Sequence, residues 1–146
     1  MSKARRGCQD DGSALIEFVV TVTLILLPTV YLILALGRIQ AGAFATESAA
    51  RHASMVIATA PDADTAQRRM DLVVQQAMRD QGFGPRTQVR TEVTCAPAAC
   101  DEPETRITVE VSTQVQLPGL PPFLAVAVPS AVTVEASGTT VSQRFR

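Results

Sequence analysis

The sequence predicts an α+β protein: a long N-terminal transmembrane helix that continues outside the membrane, then an amphipathic helix packed on a small antiparallel sheet of at least three strands. Three observations predict it. No charged side chain occurs in residues 18–37. Residues 66–78 repeat their apolar side chains at helical spacing, and from residue 89 onward three stretches alternate apolar with polar side chains.

A helix of about twenty residues is about 30 Å long, the thickness of a bilayer's hydrocarbon core, so the uncharged run can cross a membrane. Lys3, Arg5 and Arg6 precede it and only Arg38 follows closely. Basic residues stay on the cytoplasmic side, which places everything after Arg38 outside. The expected organisation is a cytoplasmic basic leader (1–12), a transmembrane helix (13–37), an extracytoplasmic continuation of that helix (38–60) and a small extracytoplasmic α+β domain (61–146). A cleaved secretory signal is the alternative, because Ala43-Phe44-Ala45 has the small-x-small pattern of a signal peptidase site, although Arg38 and Gln40 would then precede the cut. Arg5-Arg6 lacks the flanking residues of a twin-arginine signal, and Cys8 has no hydrophobic region before it and so is not a lipoprotein cysteine. Pro28 deletes one backbone hydrogen bond midway along the span, where a kink or local unwinding is expected, with Thr23, Thr29 or a partner helix satisfying the freed carbonyl.

Beyond the membrane, residues 38–59 contain no proline and much alanine, so the helix continues. Gly37, Ala41, Ala45, Ala49 and Ala53 recur every fourth residue and form a smooth ridge. Another helix can approach such a ridge closely. It packs either on sister helices in a bundle or on this chain's own sheet. Glu47 and Arg51 are spaced as an exposed ion pair, and His52, the one histidine, has no acid or cysteine near it in sequence. It reads as a surface residue.

Ala60-Pro61-Asp62 ends the long helix, and Asp64 with Gln67 reads as a capping box for the next. There Ala66, Met70, Val73, Val74, Ala77 and Met78 share one face, while Arg68, Asp71, Gln75 and Arg79 share the other. Gly82 should end this helix, with Gly84-Pro85 enforcing the exit. In the first strand Val89, Thr91, Val93 and Cys95 point one way; in the second, Ile107, Val109, Val111, Val115 and Leu117; in the third, Val132, Val134 and Ala136. In an exported domain Cys95 and Cys100 are expected to form a disulfide, two unrelated thiols being the alternative. Pairing them across a regular ladder would turn the two apolar faces opposite ways, so the bridge should clip the connecting loop, with an irregular turn at Pro103. The apolar stretch from Leu120 to Val128 closes the core, touches the membrane surface or contacts a partner.

Composition excludes much. Net charge is −1, with basic residues scattered beyond the leader, and neither Trp nor more than one Tyr is present, which argues against a nucleic-acid partner. Asp62 and Asp64 are explained by helix capping rather than by a metal. No Ser-x-x-Lys, His-Glu-x-x-His, Cys-His pair or phosphate-binding glycine loop occurs. The expectation is a non-enzyme with no cofactor, no metal and no small-molecule substrate.

Glu17 is the unusual residue, an acid one turn inside a long apolar helix, where it costs free energy unless it snorkels to the interface or finds a partner. Gly12 lies five residues before it, in Gly12-Ser13-Ala14-Leu15-Ile16-Glu17-Phe18. This arrangement resembles the processing site of type IV prepilin-like proteins, in which a membrane peptidase cuts after the glycine. The leader, the Glu17-Phe18 pair, the span and the helical exit Ala49-Ala50-Arg51-His52-Ala53 together resemble the TadE-like family, minor pilins or pseudopilins of the Tad (tight-adherence) type IV pilus system. The likeness covers the first sixty residues well and the rest in outline. Major pilins of that system are much shorter and carry an acid-tyrosine pair, which places the resemblance with the minor component. It implies a pilin-like fold, cleavage between Gly12 and Ser13, and pairing of Glu17 with the new amine of its own chain or a neighbour, Phe18 beside it. It also implies the membrane, a prepilin peptidase, other pilin-like subunits and pilus platform proteins as partners, and a bacterial cytoplasmic membrane location, or a pilus after processing. A single-pass membrane-anchored binding module, neither processed nor polymerised, is the alternative.

Overall fold

The computed structural model describes residues 10–100, 102–119 and 130–142. Helix α1 spans Asp10–Thr59, α2 Ala63–Asp80, and strands β1 Val89–Ala96, β2 Arg106–Gln116 and β3 Ala131–Val141 follow. The chain is α+β, as its patterning predicts. It divides into two compact units, Met1–Leu36 and Gly37–Arg146, so the second half of α1 belongs to the same unit as α2 and the sheet.

In the first unit α1 is long and apolar enough to cross a membrane, and its side chains, Leu15, Phe18, Leu24, Leu27 and Ile33 among them, are exposed around the helix. A helix apolar on every side needs lipid or other helices around it, so the segment is compatible with a single-pass membrane anchor. The helix runs through Pro28 without the expected unwinding. Thr29 Oγ1 donates to the Ile25 carbonyl at 2.8 Å, the carbonyl next to the one Pro28 leaves without its usual donor.

In the second unit a three-stranded antiparallel sheet of order β1-β2-β3 has one face covered by helix. Val89 pairs with Thr113 and Cys95 with Ile107, which brings the apolar sides of β1 and β2 to the same face. Ile107, Val109, Val111, Thr113 and Val115 are almost fully buried, while flanking β1 and β3 contribute half-buried Val89, Thr91, Val132, Val134 and Ala136. The central strand thus carries the densest part of the core. Leu117, expected in β2, lies just beyond it, half-buried, its N–H donating to the Ser130 carbonyl at 3.0 Å.

Helix α2 lays Met70, Val74, Ala77 and Met78 into that core. Its cap differs from the expectation. Asp62, not Asp64, is the N-cap, accepting from the Thr65 N–H at 2.8 Å and the Thr65 hydroxyl at 2.8 Å, and Gln67 donates instead to Asp71. The extended backbone of Asp62, with its carboxylate on Thr65, starts the helix two residues earlier. The far end closes as a Schellman turn: Gly82, at φ 75°, donates to the Arg79 carbonyl, and Phe83 donates to that of Met78 while burying its ring.

The two hydrogen bonds from Thr65, the backbone one foremost, hold the Asp62 carboxyl below the usual carboxylate range. A lowered folded-state pKa stabilises the fold above the unfolded value and is lost as pH falls through the folded one. Between about pH 5 and about pH 2 the wild type should therefore lose more thermal stability than Asp62→Ala, which has already lost the cap. Parallel melting curves for the two would show that the charge on the cap contributes nothing.

Cys95 and Cys100 are joined by a disulfide, with Cα atoms 5.2 Å apart. It clips the β1–β2 connection, since Cys95, next to last in β1, pairs with Ile107 while Cys100 lies in the loop. Closing so short a loop contributes about 2 kcal/mol on the chain-entropy account. The irregular turn falls at Glu104, beside Pro103, which holds a left-handed φ of 59°.

Candidate functional site

The residues singled out at the N-terminus all lie at the start of α1. Gly12 falls within the helix that begins at Asp10, and Ser13, Glu17 and Phe18 are exposed. Ser13 and Glu17 are four residues apart and so share one face of the helix. An amine freed at Ser13 would stand one turn from the Glu17 carboxylate, where a helix N-terminus favours negative charge. Glu17 is the one charged residue between Ser13 and Gly37, with exposed Ile16 and Phe18 next to it in sequence.

The small-residue ridge divides. Ala45, Ala49 and Ala53 are fully buried within this chain's own core, Ala41 is half-buried and Gly37 is exposed. Three of its five members are therefore taken up by the sheet and α2, and packing on sister helices is left to the opposite side of α1. Phe44, Glu47, Arg51 and Met55 are exposed there, with Glu47 and Arg51 forming an ion pair. Ala45 within the core also bears on the secretory alternative, because a cut after it would remove Gly42 and Ala45 from the packed helix.

Two glycines make this close packing possible, and neither stood out as a site in the sequence. A β-carbon on Gly42 would overlap Val115 Cγ2, and one on Gly138 would overlap the Ala50 carbonyl. The available signal was a glycine inside a strand of alternating Val and Thr, which marks a close backbone approach. Arg38 was likewise unremarkable beyond its charge, yet its guanidinium stands 4.7 Å from the centroid of the buried Phe83 ring. That contact joins the first turn of this unit to the exit of α2.

No family model, curated protein or solved structure matches the chain. The face of the sheet that the described residues leave uncovered is a shallow concavity of about 810 Å³ carrying Arg90, Glu92, Glu110, Ser112, Gln114 and Glu135. Glu92 lies directly opposite Glu110 across the β1–β2 ladder, and Arg90 relieves the repulsion by pairing with Glu92 at 2.6 Å. His52 is exposed, its Nδ1 3.4 Å from Ser48 Oγ. Among the described residues no group of His, Cys, Asp and Glu could hold a metal. Cys8 and the stretch from Leu120 to Val128 lie outside the described residues.

Proposed function

We propose that the chain is a TadE-like minor pilin or pseudopilin that takes part in assembling a Tad-type pilus or a related secretion apparatus. In this reading it sits in the bacterial cytoplasmic membrane as a single-pass protein, its N-terminus in the cytoplasm and the unit from Gly37 onward outside. A prepilin peptidase cuts after Gly12 and frees the Ser13 amine, which Glu17 neutralises when helices pack in an apolar environment. Platform proteins driven by an ATPase then draw the helix from the bilayer into the assembly. The carrying observation is Glu17, five residues after Gly12, at the start of one uninterrupted helix whose first half exposes Leu15, Phe18, Leu24, Leu27 and Ile33. Because Ala45, Ala49 and Ala53 are occupied internally, neighbouring subunits would meet the apolar first half of α1 and then its Phe44 and Met55 side.

The mass of the protein isolated from cells tests this. The mature chain should begin at Ser13, and Gly12→Leu should retain residues 1–12. Glu17→Ala should insert in the membrane normally and fail to assemble. Full-length protein from cells that carry the peptidase, indifferent to Gly12→Leu, would leave the membrane-anchored binding module as the reading, with the polar face of the sheet as the place to look for its partner.

A further inference from the structure

The second unit has two chemically different ends. Gly42 of α1 meets Val115 near the end of β2, and Ala50 meets Gly138, which pairs with Val109 nearer its start. The turn between α1 and α2 therefore lies at the same end as the β1–β2 connection, while the exit of α2 lies at the end where Gly37 enters. Arg38 fixes this, because its guanidinium stacks on Phe83 and Nη1 would stand 3.9 Å from a β-carbon on Gly82. Among the described residues of α2's last turn, its exit loop and the first turn of α1 within this unit, the charges are Arg38, Arg79 and Arg86 against Asp80, whose carboxylate accepts from Gln76 Nε2 at 2.7 Å. Among the described residues, the α1–α2 turn and the β1–β2 connection carry Asp62, Asp64, Glu102 and Glu104 against Arg106, with Arg68 one turn into α2 close enough to act on Asp62. The end next to the apolar span is basic and the far end acidic.

Beside Arg79 a groove of about 300 Å³ opens between α2 and the start of β1, with apolar walls from Val74, Met78, Phe83 and Val89. Apolar walls adjoining guanidinium groups match the glycerol and first methylenes of a phospholipid next to its phosphate. We propose that this end of the unit binds anionic phospholipid of the leaflet from which α1 emerges, with Arg38, Arg79 and Arg86 on headgroup phosphates and the Met78–Phe83–Val89 groove against the lipid. Arg38 directly follows the last residue of the span, so covalent connection alone holds it at the headgroup layer, and Phe83 lies against its guanidinium. The proposal rests on residues 13–37 crossing the membrane. It does not depend on processing at Gly12 or on polymerisation.

The test is hydrogen exchange on the full chain in lipid nanodiscs, comparing phosphatidylglycerol mixtures with pure phosphatidylcholine. Amides from Gln81 to Thr87 should exchange more slowly in the anionic discs, by roughly fivefold for each arginine engaged. High salt should erase the difference. Arg79→Gln with Arg86→Gln, both exposed side chains whose loss should leave the melting temperature in place, should cut the difference to the roughly fivefold that Arg38 alone supplies. Equal exchange in the two lipids, with the chain inserted, would overturn the proposal alone. A chain extracted from the discs by alkaline carbonate would overturn the membrane span and the proposal with it.

Discussion

Gly138→Val should abolish the folded state of the unit that begins at Gly37. At Gly138 the third strand presses against the backbone of α1, and a β-carbon there would overlap the Ala50 carbonyl and stand 2.7 Å from the Arg51 nitrogen. These are helix backbone atoms, held in the hydrogen-bond ladder, and they cannot swing aside as a side-chain tip could. Strand and helix would have to separate, uncovering Ala49, Ala50, Val109 and Val111 together. Overpacking of one methyl already costs roughly 1–3 kcal/mol, and valine adds two more carbons against a total stability of roughly 5–15 kcal/mol. Circular dichroism melting of the chain in micelles should show a cooperative transition for the wild type and none for the sheet of Gly138→Val. Gly84→Ala is the matched control, since its site has open space and no left-handed φ. A variant that melts like wild type would mean that β3 can slide off the helix without loss.

Ala49→Leu should destabilise the same unit by roughly 1–3 kcal/mol, for a related reason. Ala49 is fully buried between helix and core, with Ala45 and Ala53 one turn to either side. A leucine there must push the helix away from Val109 and Val111. Phe44→Ala, on the exposed side, should leave melting unchanged. Under the proposed function it would weaken assembly instead. The pair separates the two roles of one helix: if Ala49→Leu melted normally and only assembly failed, the alanine ridge would be a contact between subunits and its burial within this chain would be incidental.

Much of the fold was legible because it is local. An uncharged run of twenty residues, a 3.6-residue repeat from Ala66 to Met78 and three alternating stretches each report the environment of their own segment, and each became the expected element. The Asp62 cap shows where local reading ran short. Asp62 and Asp64 both offer a carboxylate ahead of an apolar repeat, and the choice fell to the one whose backbone is extended and for which Thr65, three residues on, supplies two donors.

What the chain's neighbours are was not local at all. A ridge of alanines announces close packing without naming the partner, and here the partner for Ala45, Ala49 and Ala53 is the chain's own sheet, reached through Gly42 and Gly138. Arg38 and Phe83 lie 45 positions apart, and nothing in the spacing of either announces the other. By itself the sequence determined that one apolar helix leads into a small α+β unit clipped at Cys95 and Cys100, because hydropathy, turn residues and strand alternation act within a few residues. Only the tertiary structure decided which face of α1 is spent inside the unit and which end of that unit is basic, because burial and proximity depend on segments that meet after the chain has folded.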